Sequence, residues 1–133
     1  MSSQVTRVRP LRIAVVDDEP TMRRSFARLL RSTGYDASVY SSGHDFLDAC
    51  QHEHLDCAFI DSQMPGLSGV EVIEQLRRRG IGLPVAMLAA IDDAELRKTC
   101  SALGTRFFLV KPADGAVLLS AIESMVNSGG RLR

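Results

Sequence analysis

Lysine is nearly absent from this chain. Of its 16 cationic residues, 14 are arginine and two, Lys98 and Lys111, are lysine, so a lysine that falls beside a motif stands out. Tryptophan is missing and aromatics make up 5% of the residues. That removes the stacking surface on which readers of single-stranded nucleic acid depend. Net charge is missing too: 16 acids balance 16 bases. This excludes a nonspecific nucleic-acid binder, whose affinity rests on surplus positive charge, and a disordered charged tail. The three cysteines, Cys50, Cys57 and Cys100, contain no CxxC pair. No apolar run approaches the roughly 18 residues of a membrane span. Residues 1–10 are polar, with Arg7 and Arg9 and no apolar stretch behind them, so no secretory signal is read. A cytoplasmic protein with reduced thiols and no membrane contact is the expectation.

What is present is one domain's worth of chain: 133 residues, 45% of them hydrophobic, enough for one core and too few for two. Five short apolar, β-branched-rich runs stand out, at 11–16, 35–40, 55–60, 84–88 and 105–110. Each is followed by a stretch of helical periodicity. Met22, Phe26, Leu29 and Leu30 share one face while Arg23, Arg24, Arg28 and Arg31 take others. Ser42 is placed to cap a short second helix carrying Phe46 and Leu47. Val70, Ile73 and Leu76 mark a third, whose end at Arg77, Arg78 and Arg79 reads as a solvated cationic terminus suited to the helix dipole. A fourth opens at Asp92 and Asp93 and carries Leu96 and Cys100; a fifth carries Val117, Leu118, Ala121, Ile122 and Met125.

Strict alternation of strand and helix predicts parallel strands joined by helical crossovers. Continuous apolar runs predict a sheet covered on both faces. The fold class is therefore α/β: an open, doubly wound parallel sheet of five strands with five helices. The domain spans 11–127, with an extension at 1–10 and a loose tail at 128–133 that begins around Gly129 and Gly130. In such sheets ligands bind at the carboxyl ends of the strands, so the chemistry belongs just past each run.

The first run ends in Asp17-Asp18-Glu19-Pro20. Adjacent acids there suit Mg²⁺, which takes one or two carboxylates plus waters and phosphate, or they answer the positive end of a helix dipole. The third ends in Asp61-Ser62-Gln63-Met64-Pro65-Gly66. Asp61 is a candidate nucleophile, since a carboxylate can attack phosphorus, or a turn-forming residue. The fifth ends in Lys111-Pro112, where an ammonium is placed to bind a phosphoryl oxygen. Three such groups at one sheet edge mean more than any one alone. Cys50, His52 and His54 lie close in sequence, but no fourth ligand for Zn²⁺ is evident and a turn with exposed histidines is the simpler reading.

Taken in order, VVDDEPTMRR, FIDSQMPGLSG and LVKP make the chain resemble the receiver domain of two-component response regulators, over about residues 11–127. Within that family its loop sequence is similar to the FixJ-type group. The resemblance implies a flavodoxin-like sheet of order 2-1-3-4-5. It implies Asp61 as phosphoacceptor, and Mg²⁺ held by Asp18, Asp17, Asp61 and the backbone carbonyl of Gln63. It implies Lys111 pairing with the phosphoryl group, and a cis bond before Pro112. It further implies a sensor histidine kinase as phosphodonor, possession of a switch rather than turnover catalysis, and an output face on the fourth helix, fifth strand and fifth helix that can pair into a homodimer. Gln63 occupies a position that tunes autodephosphorylation in the family.

One departure is plain. The fourth strand should end in a threonine or serine that donates to the phosphoryl group; here Ala89 stands there, 22 residues before Lys111. Phe108 is the aromatic that follows that hydroxyl inward in the family. The missing donor opens an alternative, a protein-binding module of the same fold that ignores phosphorylation. A phosphatase working through an aspartyl phosphate would want a second acid two residues past Asp61, where Gln63 lies. A flavodoxin-type cofactor binder would want a Ser/Thr-rich loop after the first strand, which is absent. No helix-turn-helix pattern follows the fifth helix, so either a single-domain regulator or a piece of a longer one is expected.

Overall fold

The computed structural model describes residues 9–131. Its elements alternate from start to end: β1 (Arg12–Val16), α1 (Pro20–Ser32), β2 (Asp36–Tyr40), α2 (Gly43–Ala49), β3 (Cys57–Asp61), α3 (Gly69–Arg78), β4 (Val85–Ala89), α4 (Ala94–Ala102), β5 (Phe107–Val110) and α5 (Gly115–Arg131). All four strand pairings are parallel, and the order is β2-β1-β3-β4-β5. The predicted α/β class, strand number and strand order are all present.

Alternate residues of the central strands feed two cores, as a pleated strand requires. Ala14, Val16, Ala58, Ile60, Val85 and Met87 face α2, α3 and α4, meeting Phe46, Ile73, Leu76 and Cys100. Ile13, Val15, Cys57, Phe59, Ala86 and Leu88 face α1 and α5, meeting Phe26, Leu30, Ile122 and Met125. The Phe26 and Phe59 rings lie 4.9 Å apart. β3 and β4, in the middle, are buried along their whole length. β5, at an edge, is only half-buried. Phe107 on this strand is therefore partly open, although it packs on the α1/α5 side.

The helix starts follow from local chemistry. Ser42 accepts from the Asp45 backbone N–H and caps α2, as expected. Asp93 accepts from the backbone N–H groups of Glu95 and Leu96 and caps α4. Ser68 and Glu71 form a reciprocal capping box on α3. Helix α5 runs to Arg131, through Gly129 and Gly130, where a loose tail is predicted, so the expected boundary at 127 falls inside it. Glycine costs a helix interior only about 1 kcal/mol relative to alanine, which does not oblige the helix to stop.

Candidate functional site

The carboxyl ends of β1, β3 and β5 converge. Asp17 directly follows β1 and is 1% exposed; Asp61 closes β3 and is 6% exposed. Asp18, one residue on, is exposed. One carboxylate oxygen from each of the three lies within 4.8 Å of the others. Among the described residues this is the only group of three or more acids, histidines or cysteines able to share a metal ion. Cys50, His52 and His54 do not assemble: His52 Nδ1 pairs with the Asp48 carbonyl and His54 with Asp56.

Lys111 follows β5 and its Nζ stands 3.3 Å from Asp17 Oδ2 and 3.2 Å from Asp61 Oδ1. Burial alone would lower the lysine pKa, but the Asp17 and Asp61 carboxylates outweigh it and raise the pKa. Burial, reinforced by Asp17, pushes the Asp61 carboxyl above its usual range, while Lys111 pulls it back in part. One lysine thus faces two buried acids, and the cluster keeps an excess of negative charge.

Backbone geometry fixes these groups. Asp17 Oδ1 accepts from the Glu19 N–H at 3.0 Å, and its carbonyl accepts from Arg23 at 2.7 Å. Asp61 Oδ1 accepts from the Gln63 N–H at 3.4 Å, while the Gln63 residue itself is exposed. Gly69 presses against the end of β3: a Cβ there would lie 2.5 Å from the Asp61 carbonyl oxygen and 2.9 Å from Ser62 Cα. No side chain fits, so the start of α3 can pack directly beneath the Asp61 loop. The Lys111 N–H donates to the Ala89 carbonyl at 2.7 Å. The Lys111-Pro112 bond is cis, as the resemblance implies.

Ala89 closes β4, 1% exposed. It borders a cleft of about 410 Å³ shared with Ser62, Gln63, Ala90, Asp92 and Leu96. Its methyl brings no hydrogen-bond donor to the sheet edge. Phe108 packs on the α2/α3/α4 side, and the Arg97 guanidinium sits 4.6 Å from its ring centroid. Arg97 Nε is also 2.6 Å from Asp92 Oδ1. The roles of Arg23 and Arg97 are not readable from sequence, because their partners are a backbone carbonyl and a ring face that only the folded chain brings to them.

A doubly wound parallel sheet that gathers three aspartates and a lysine at its carboxyl edge defines an α/β domain with an acidic strand-end site. The sequence model of the response regulator receiver domain matches residues 13–123, and the chain belongs to that family. FixJ, the transcriptional regulatory protein of Azorhizobium caulinodans, is 34% identical over 114 residues, covering 86% of this chain and 54% of that protein. The chain thus spans about half the length of this relative. A response regulator receiver protein from Burkholderia phymatum superposes with a TM-score of 0.77 at 37% identity, covering 88% of this chain and 95% of its own. The response regulator TrrA of Thermotoga maritima, solved with Mg²⁺ and BeF, superposes with a TM-score of 0.77 at 27% identity, covering 86% and 98%. Receiver domains are phosphorylated by sensor histidine kinases, bind Mg²⁺ at an acidic pocket and are generally not turnover enzymes. No helix of the described residues is long and apolar enough to cross a membrane.

Proposed function

We propose that this receiver accepts a phosphoryl group on Asp61 from a phosphohistidine of a sensor kinase. An Asp61 carboxylate oxygen bonds to phosphorus as the P–N bond to the donor imidazole breaks, and the imidazole nitrogen keeps the electron pair and takes a proton. The carrying observation is that Asp17, Asp18 and Asp61 converge within 4.8 Å while Lys111 bridges two of them.

The donor set is all oxygen, dense and partly solvent-facing, which fits Mg²⁺. Asp17, Asp18, Asp61 and the Gln63 carbonyl are the residues that would hold it. When bound, the ion supplies the positive charge that lets one more anion join three carboxylates. Lys111 is close enough to both acids to shift its ammonium onto a phosphoryl oxygen. Gln63, exposed beside Asp61, is placed to influence water attack on the acyl phosphate. The signal leaves through α4, β5 and α5, with Phe108 as the moving element and a homodimer across that face as one output.

Ala89 favours a second reading, a partner-binding module indifferent to phosphate. Acetyl phosphate with Mg²⁺ separates the two. Intact-mass measurement is expected to show one phosphoryl group on the protein and none on Asp61→Asn. Sedimentation of the phosphorylated protein is expected to show self-association. Absence of the adduct under conditions that label a control receiver overturns the phosphoacceptor reading; an adduct with no change at the α4–β5–α5 face favours the second.

A further inference from the structure

A broad groove lies away from Asp61's cleft. It runs along the flank of α1 that faces the free edge of β2, holds about 650 Å³, and is lined by Arg23, Arg24, Arg28 and Arg31 with Ala27 and Val39. Four guanidinium groups line one groove, and no acidic residue lines it with them. None of the four forms an ion pair with a carboxylate among the described residues. Arg23 is turned to the Asp17 carbonyl, and Arg31 reaches the Ala37 carbonyl at 3.4 Å. The guanidinium groups of Arg24 and Arg28 donate to nothing among the described residues. In a chain with zero net charge, this concentrates positive charge on one flank.

The groove also has an apolar seat. Val39 is 41% exposed, one of three large hydrophobic residues left open among the described residues, and β2 is an edge strand. Arg24, Arg28 and Arg31 repeat at i, i+4 and i+7, so they share one face of α1. At about 1.5 Å per residue they span about 10 Å, two turns. The geometry points to a docking surface for an acidic amphipathic helix of a partner protein. Its carboxylates, at the matching spacing, meet the arginine row, and an apolar side chain beside them covers Val39. The apolar seat and the lack of any aromatic lining favour a protein over a nucleic acid, whose bases would find nothing to stack on. This surface is separate from the phosphoryl chemistry and does not depend on Asp61 being the phosphoacceptor.

A fluorescent helical peptide with glutamates at i, i+4 and i+7 and leucines beside them is the probe, titrated at physiological salt without phosphodonor. Arg24→Glu with Arg28→Glu is expected to weaken binding at least about tenfold, as repulsion replaces attraction at an interface. Arg78→Glu with Arg79→Glu, a cationic pair on α3 and its cap, serves as control and is expected to change affinity less than about twofold. Amide shift changes on binding are expected along α1 and β2, including Val39. Equal weakening by both pairs, shifts that map elsewhere, or duplex DNA binding as tightly as the peptide would each overturn the proposal. Self-association lost in Arg24→Glu with Arg28→Glu would overturn it too, by showing that a second copy fills the groove.

Discussion

Two cations, at opposite ends of the sheet, bind oxygen in opposite ways. Lys111 at the carboxyl edge meets two buried carboxylates, Asp17 and Asp61. Arg77, near the amino end of β4, meets three backbone carbonyls: Leu103 through Nε at 2.9 Å, and Ile81 and Leu83 through one terminal nitrogen at 3.0 and 3.2 Å. The carbonyls are neutral dipoles, so one guanidinium completes that end and ties α3, the α3–β4 loop and the end of α4 together. The acids are charged, so one ammonium leaves theirs short of positive charge, with Asp61 pushed above its usual pKa. One end of the fold is completed by its own residues; the other keeps an excess of negative charge.

The largest effect is expected at the finished end. Arg77→Ala removes three hydrogen bonds from one cation. Each is worth about 1.5–3 kcal/mol when a charge is involved, but solvent reaches this half-buried side chain, so a total near 3 kcal/mol is expected. Thermal unfolding should fall by about 10 °C for a domain of this size, with no dependence on Mg²⁺. Arg77→Lys should recover less than half, because an ammonium cannot span the same fork. The next effect is conditional. Lys111→Ala leaves Asp17 and Asp61 uncompensated, at a cost of about 2 kcal/mol without divalent ions, and Mg²⁺ should restore most of it. Lys111 has a raised pKa, so its contribution is complete below its ordinary value of 10.5 and is lost only as pH rises through the higher folded value. A Mg²⁺-insensitive loss in Lys111→Ala, or a Mg²⁺-sensitive one in Arg77→Ala, would erase the distinction between the ends.

The two ends were also unequally legible in the sequence. All five apolar runs became strands, and Asp17, Asp18, Asp61 and Lys111, each just past or at the end of one, were brought together. Strand ends are where a parallel sheet presents side chains, so sequence order alone locates that site. Arg77 gave no such signal. It reads as one of three arginines closing a helix, and for Arg78 and Arg79, both exposed, a solvated terminus is right. For Arg77 it is wrong, because its acceptors are backbone carbonyls, which leave no mark on residue identity. The Arg97 guanidinium over Phe108 and the arginine groove beside Val39 were hidden for another reason: each needs two separate elements in place before it exists.

Ala89 offers a smaller test of how unfinished the carboxyl edge is. Its cleft has room beside it, so Ala89→Thr should fold as the parent does, with a change in stability under about 1 kcal/mol. The added hydroxyl gives a bound phosphoryl analogue one more donor. At about 1.4 kcal/mol this is a factor of about ten in affinity for a Mg²⁺–beryllium fluoride complex. No tightening would mean that Ala89 does not face the phosphoryl position.

The smallest effect belongs to the other lysine. Lys98 lies on α4 with its Nζ 4.0 Å from Glu95 Oε2, and the two side chains are 79% and 87% exposed. An ion pair that wet is worth between nothing and about 0.5 kcal/mol, so Lys98→Ala should leave unfolding, Mg²⁺ binding and Asp61 labelling where they were. The comparison with Lys111 is sharp because chemistry and residue type are the same and only the surroundings differ. Lys111 is held by two carboxylates that have almost no access to water, and Lys98 shares its one partner with solvent. If acetyl phosphate labelling fell in Lys98→Ala as far as in Lys111→Ala, net charge rather than position would govern phosphoryl uptake. The pairing of Lys111 with Asp61 would then lose its functional meaning.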